Sequence, residues 1–85
     1  MKLRLRYFAA LREAVGISEE TLIVPAAVCT AGALRTYLQA RGGVWADALG
    51  PTRPIRIAIN QRMAQPSDAL EADAEVAFFP PVTGG

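Results

Sequence analysis

The chain closes with Glu75-Val76-Ala77-Phe78-Phe79-Pro80-Pro81-Val82-Thr83-Gly84-Gly85, and this segment carries the strongest structural signal in the sequence. Its first five residues alternate between the two sides of a strand, with Val76 and Phe78 on the side that faces the core. The strand ends at Pro80, because proline has no N–H to donate to a neighbouring strand. The two prolines favour a stiff, extended backbone. We therefore predict a folded domain over residues 1–79 and an extended, flexible tail over residues 80–85.

The same period of two predicts the other strands of the sheet. Apolar residues alternate with basic ones at the start of the chain, and isoleucines alternate with other residues at 55–59. Shorter β-rich stretches lie at residues 21–24 and 62–64, the second after an Asn60-Gln61 turn, which brings the prediction to about five strands. The core-facing residues of the first strand are Leu3, Leu5 and Tyr7.

Helical periodicity predicts a short helix over residues 8–15, which Gly16 ends, and one main helix whose N-cap is Thr30. Along one stripe of the main helix, at helical spacing, lie Ala31, Leu34, Tyr37, Leu38 and Arg41. We predict one or two further helical turns over residues 44–49, with Trp45 at the edge of the core. This order of elements predicts an α+β domain in which the main helix packs across a mixed sheet.

The composition excludes most catalytic machinery. The 85 residues include no histidine, which is the usual neutral-pH base and the commonest metal ligand, and a single cysteine, Cys29. A lone thiol forms no internal disulfide or multi-thiolate metal site, and we expect Cys29 to be a small buried hydrophobe. The net charge of +1 and the short apolar runs do not favour binding to nucleic acid or a membrane. We therefore expect a cytoplasmic protein that holds no metal and is not a self-sufficient enzyme.

The final Gly84-Gly85 pair leaves a carboxylate without neighbouring side chains. Such a tip can enter a narrow channel that a residue with a Cβ would block. A carboxylate acylates poorly, but adenylation with ATP gives it a leaving group that a sulfur or nitrogen nucleophile displaces. We therefore interpret the tail as a reactive handle that other enzymes load; the alternative is an inert, frayed terminus.

These residues resemble the small, sulfur-carrier subunits of molybdopterin synthases, the MoaD-type branch of the ubiquitin-like sulfur carriers. The likeness is strongest in the tail and covers nearly the whole chain. Its other stretches are Tyr7-Phe8-Ala9, Leu11-Arg12-Glu13, Thr30 to Arg35 and Ala58-Ile59-Asn60-Gln61. One departure is Ala72-Asp73-Ala74, where the family commonly has glycine between two acidic residues. Asp73 is therefore expected to take the left-handed backbone conformation.

The resemblance implies a ubiquitin-like β-grasp fold and a non-catalytic role as sulfur carrier in molybdenum cofactor biosynthesis. A ubiquitin-activating-like enzyme would adenylate Gly85 with ATP, and a sulfur donor of the desulfurase or rhodanese type would convert it to a thiocarboxylate. The sulfur would then pass to cyclic pyranopterin monophosphate in the large, catalytic synthase subunit. The tail residues that would enter partner active sites are Pro80, Pro81, Val82, Thr83, Gly84 and Gly85. The resemblance also implies a heterotetramer and no permanently bound cofactor.

Strand parity predicts a docking surface beside the tail. If Tyr7 and Phe78 face the core, their neighbours Phe8 and Phe79 face outward, and Met63 joins them from a nearby strand. An exposed cluster of large apolar residues indicates a partner interface, unless the short helix covers it. The outward-facing basic residues, which either meet acidic groups of a partner or contact only solvent, are Arg4, Arg6 and Arg56.

Other functions stay open at this point. A carrier of the same kind could serve thiazole or cysteine synthesis, although the paired phenylalanines and prolines favour the molybdopterin branch. A ubiquitin-like modifier would instead be joined through Gly85 to lysines of other proteins. A plain interaction domain with an inert tail is a further alternative.

Overall fold

The computed structural model describes residues 1–81. In chain order its elements are β1 (Lys2–Tyr7), α1 (Ala9–Val15), β2 (Glu19–Ile23), α2 (Ala31–Gln39), α3 (Gly43–Ala48), β3 (Arg56–Ile59), β4 (Arg62–Ala64) and β5 (Glu75–Phe79). The predicted strands and helices are confirmed. Their ends differ from the predicted ones by no more than a residue or two, because caps and pairing partners lie elsewhere in the chain.

The strands form one five-stranded sheet in the order β2-β1-β5-β3-β4. The last strand lies in the middle, parallel to β1 and antiparallel to β3. An antiparallel strand flanks this central group on each side, and the main helix packs across one face. This is the ubiquitin-like β-grasp arrangement, so the predicted fold class is confirmed. As a consequence, the chain leaves the sheet from its centre.

The core lies between one face of the sheet and the helices. Its largest fully buried side chains are those of Tyr7, Phe78, Leu3, Leu5, Leu34, Leu38, Leu49 and Val76. Each such side chain stabilises the fold by about 1.5–3 kcal/mol on leaving water. None of the buried residues within 1–81 is polar or charged apart from the Tyr7 hydroxyl, so apolar packing dominates the stability.

The start of α2 combines the predicted cap with a close contact that the sequence did not reveal. The Ala33 N–H donates to the Thr30 side-chain oxygen at 3.1 Å, which confirms the N-cap. The Gly32 N–H donates to the Pro66 carbonyl oxygen at 2.8 Å. A Cβ at Gly32 would lie 3.1 Å from that oxygen, so glycine lets the loop before β5 lie directly against the helix.

Two predicted turn conformations are confirmed. Asn60 and Gln61, between β3 and β4, have φ angles of 49° and 67°. Asp73 has a φ of 65°, and its N–H donates to the Lys2 carbonyl oxygen at 2.7 Å. The left-handed turn before β5 therefore forms with aspartate in place of glycine, at a steric cost of about 1–2 kcal/mol.

The expectation that Cys29 is buried is wrong. Cys29 is exposed, whereas its neighbour Val28 is 7% exposed and packs in the core. The Leu70 N–H donates to the Cys29 carbonyl oxygen at 2.8 Å, so the backbone of this residue, and not its thiol, is held by the fold. Within residues 1–81, no helix has the length and apolar character that crossing a membrane requires.

Candidate functional site

The central strand leads directly to the predicted tail. Phe79, the last residue of β5, pairs with Arg56 of β3. Pro80 and Pro81 follow and are half-buried. The other tail residues of the prediction lie outside the described residues; they are Val82, Thr83, Gly84 and Gly85. The root of the tail thus lies at the end of the middle strand of the sheet.

Phe8 and Phe79 lie side by side at the root of the tail. Because Tyr7 and Phe78 pair in the parallel β1–β5 ladder, the residues that follow them are neighbours as well. The Phe8 N–H extends the ladder by donating to the Phe78 carbonyl oxygen at 3.2 Å. Both phenylalanines are half-buried on the face opposite to the core, which we call the outer face.

Met63 shares the outer face and lies farther from the tail. The strand register joins Met63 to Ala58, and Ala58 to Ala77 of the central strand. The Met63 side chain is 57% exposed, and the two alanines leave a shallow apolar floor between it and the phenylalanines. We call Phe8, Ala58, Met63, Ala77 and Phe79 the outer patch.

The short helix α1 does not cover the outer patch. Leu11 of α1 is 4% exposed and belongs to the core. On its other side α1 borders α3 across a groove lined by Ala10, Ala14, Ala48 and Pro80. These contacts place α1 on the core side of the sheet, which leaves the outer patch open.

Arginines lie at the rim of the outer patch. Arg4, Arg6 and Arg56 are all exposed, as strand parity predicts. The Arg6 guanidinium lies 5.2 Å from the centre of the Phe8 ring, and its Nη1 lies 3.3 Å from Oε1 of Glu75. Arg56 forms no ion pair with any residue of the described part of the chain. The outer face is therefore apolar near the tail and carries both arginines and the carboxylate of Glu75 around it, with Arg56 left to meet an acidic group of a partner.

On the core side, Tyr7 belongs to a cluster that the sequence analysis missed. Its hydroxyl donates to Oε2 of Glu20 at 3.0 Å, and Arg41 donates to both oxygens of the same carboxylate at 2.9 and 2.7 Å. The Trp45 ring meets the Tyr7 ring edge-on at 5.3 Å and lies 4.4 Å from the Arg41 guanidinium. The signal available in the sequence was that a buried tyrosine hydroxyl requires a hydrogen-bond partner.

The electrostatics of this Tyr7 cluster favour the ionised carboxylate and the neutral phenol. The Arg41 hydrogen bonds hold the pKa of Glu20 below its usual value. Burial, followed by the charge of Glu20, raises the pKa of Tyr7 well above its usual range. Trp45 closes the edge of the core, as expected. These contacts are satisfied within the domain, so we assign the cluster a structural role.

Arg35 holds the segment that precedes β3. Its guanidinium donates to the carbonyl oxygens of Leu49 at 2.9 Å and Arg53 at 2.8 Å. Partial burial lowers the pKa of Arg35. The carbonyl oxygens replace the hydrogen bonds to water that the buried guanidinium gives up. The segment then passes Pro80 at the groove beside α1. Arg35 therefore supports the surroundings of the tail root without facing the outer patch.

Comparisons with known proteins agree with this architecture. The chain is 37% identical over 83 residues to the molybdopterin synthase sulfur carrier subunit of Haemophilus influenzae, covering 98% of this chain and 99% of that protein. The crystal structure of SAMP1, a small archaeal modifier protein of Haloferax volcanii, matches with a TM-score of 0.76 and 26% identity, covering 100% of both chains.

A solved complex of subunits 1 and 2 of the molybdopterin-converting factor from Helicobacter pylori includes a chain of the same fold. That chain matches with a TM-score of 0.68 and 22% identity, covering 100% of both chains. The model of the ThiS family matches residues 5–85. Because this match spans almost the entire sequence, and the carrier subunit aligns from end to end, the chain belongs to the ThiS family.

Proposed function

We propose that this chain is the sulfur carrier subunit of a molybdopterin synthase. The observation that carries the proposal is the near-complete alignment with a curated carrier subunit of that enzyme. The structure supports it in two ways: the tail root lies at the end of the central strand, and a partly exposed apolar patch lies beside it. The catalytic groups of the synthase then lie on the large subunit, and this chain supplies sulfur.

Gly85 is the residue that we propose to carry the sulfur. Its carboxylate attacks the α-phosphorus of ATP in a ubiquitin-activating-like enzyme, pyrophosphate leaves, and an acyl-adenylate forms. The terminal persulfide sulfur of a donor of the desulfurase or rhodanese type then displaces AMP and forms an acyl disulfide. A thiol of the loading enzymes cleaves its S–S bond, which releases the thiocarboxylate and leaves the donor sulfur and that thiol joined as a disulfide. In the large subunit the thiocarboxylate sulfur passes to cyclic pyranopterin monophosphate, and water restores the carboxylate. Since a dithiolene needs two sulfur atoms, the carrier must leave and be reloaded.

The large subunit is the proposed partner of the outer patch. Phe8 and Phe79 are adjacent to Pro80, so a protein that binds them also receives the tail, residues 80–85. The arginines at its rim, Arg4, Arg6 and Arg56, favour acidic groups on that partner. The solved Helicobacter pylori complex, whose chains are subunits 1 and 2 of the converting factor, supports this partnership. We propose a heterotetramer in the cytoplasm, with no cofactor or metal resident on the carrier.

Intact mass spectrometry tests the proposal. The carrier is incubated with its cognate adenylating enzyme, ATP and a sulfur donor. We expect the mass change that replacing one oxygen by sulfur produces, and we expect it to vanish when Gly85 is deleted. Cys29→Ser is the matched control, because the exposed thiol could itself acquire sulfur; this variant must load like the wild type. An unchanged mass with an enzyme that consumes ATP contradicts the proposal.

Attachment to other proteins is the second candidate, and the likeness to SAMP1 favours it. A modifier of this kind forms an amide between Gly85 and a lysine of its target. Conjugates in a lysate that survive thiol reductant and disappear on deletion of Gly85 would support this function. Their absence, together with a thiocarboxylate at Gly85, leaves sulfur transfer as the function of the tail.

A further inference from the structure

The junction between β1 and α1 contains an unusual backbone angle. Ala9, the first residue of α1, has a φ of 54°. Residues other than glycine and asparagine seldom adopt this left-handed region, because Cβ approaches the following carbonyl oxygen. The preceding Phe8 is ordinary extended backbone, with φ −127° and ψ 154°. A strained angle of this kind persists only where its surroundings fix it, and such angles concentrate at functional sites.

The hydrogen bonds of Phe8 provide this constraint. Its N–H donates to the Phe78 carbonyl oxygen at 3.2 Å and continues the β1–β5 ladder. Its carbonyl oxygen accepts from the Arg12 N–H at 3.3 Å and begins α1. Strand pairing therefore ends, and helical bonding begins, at the same residue. The chain must change direction at Ala9, which turns α1 toward the core while the Phe8 side chain stays on the outer face.

We propose that Ala9 is a positioning residue for docking: its left-handed backbone presents Phe8 to the large subunit. Ala9 acts through Phe8 and need not touch the partner. Its own side chain is exposed, so a larger one extends into solvent and a substitution acts through the backbone. The inference rests on the proposed function, because it takes the outer patch as the surface that binds the large subunit.

Calorimetric titration of the full-length carrier into the cognate large subunit tests this role. Valine and asparagine have similar bulk, but valine is β-branched and disfavours positive φ, whereas asparagine tolerates it. We expect Ala9→Val to weaken binding about tenfold and Ala9→Asn to remain within about threefold of the wild type. Ala46→Val is the matched control, since Ala46 is exposed inside α3 and has no positive φ; its affinity should not change.

A double-mutant cycle separates positioning from other effects. In a Phe8→Ala background, Ala9→Val should cause no further loss of affinity, because nothing remains to be positioned. A loss that persists there, or an Ala9→Val variant that binds like the wild type, overturns the inference. Circular dichroism verifies folding, and Ala9→Thr replaces Ala9→Val if the latter is unfolded.

The outcomes also distinguish this inference from the function on which it rests. A wild-type carrier that does not bind the large subunit contradicts the proposed function. A wild type that binds, with Phe8→Ala binding equally well, overturns only the role of Ala9, because Phe8 would then contribute nothing to docking.

Discussion

Tyr7 and Phe8 are adjacent aromatic residues with opposite surroundings. Tyr7 is 1% exposed, and its ring stacks on Phe78 with centroids 5.9 Å apart. Phe8 is half-buried on the outer face, with the Arg6 guanidinium over its ring. A step of one residue along a strand moves a side chain to the other face of the sheet. One strand therefore contributes to stability through one residue and to recognition through the next.

Truncating these two rings should separate the roles most strongly. Tyr7→Ala removes a buried ring and its hydroxyl contact, and we expect the free energy of unfolding to fall by roughly 3–5 kcal/mol. Phe8→Ala should lower it by less, by about 1 kcal/mol, because that ring lies outside the core and is only partly buried. Urea unfolding measures both changes. Equal losses for the two variants would show that Phe8 is a core residue.

A charge on the outer patch should reduce binding and leave the fold intact. Phe79→Asp is expected to weaken affinity for the large subunit about 100-fold, because a carboxylate would be buried in an apolar contact. Ile23→Asp is the matched control: Ile23 is 75% exposed on the outer side of β2, at the far edge of the sheet. Calorimetry measures both affinities, and similar losses at the two sites would contradict a localised interface.

A substitution in the Tyr7 cluster should lower the stability of the fold and leave the affinity for the large subunit unchanged. Arg41→Met removes both hydrogen bonds to Glu20, and we expect a loss of about 1–2 kcal/mol in unfolding free energy with unchanged affinity for the large subunit. Arg12→Met, in an exposed position on α1, should leave stability nearly unchanged. An affinity loss in folded Arg41→Met would show that the two faces are coupled.

Acidification should lower the free energy of unfolding because it protonates Glu20. Its native pKa is lowered from the ordinary 4.5, chiefly by the Arg41 hydrogen bonds. The stability that ionised Glu20 contributes is therefore fully present above pH 4.5. It is lost as the pH falls below 4.5 and passes the lowered pKa of the folded state. Unfolding free energies measured across this range should fall less steeply in Glu20→Gln than in the wild type. Identical slopes would mean that Glu20 does not link folding to protonation.

The smallest expected effect lies at the turn before β5. Asp73→Gly should raise unfolding free energy by about 0.5–1 kcal/mol, because glycine accepts positive φ without steric cost. The exposed Lys2–Asp73 ion pair, 3.7 Å long, offsets little of this gain. Thermal unfolding measures the change. A destabilised variant would show that the aspartate side chain holds the turn.

The sequence predicts what depends on local periodicity. Alternation at Leu3, Leu5 and Tyr7 fixes strand faces, and Thr30 marks a helix start because its hydroxyl caps a nearby N–H. Side-chain contacts between distant segments are not predictable in this way. The Arg41–Glu20 ion pair, for example, joins the turn after α2 to β2. The prediction that Cys29 is buried is wrong because the path of the loop decides which of two neighbouring residues faces the core. Here Val28 faces the core and Cys29 faces solvent. The positive φ of Ala9 likewise arises from pairing with β5.

Single-turnover sulfur transfer tests the account most directly. Carrier that mass spectrometry shows to be a thiocarboxylate at Gly85 is mixed with the large subunit and cyclic pyranopterin monophosphate. We predict that molybdopterin forms as the carrier returns to its carboxylate, and that loaded Phe79→Asp transfers sulfur far more slowly than loaded Ile23→Asp. A fully loaded wild-type carrier that keeps its sulfur and yields no product would contradict the assignment.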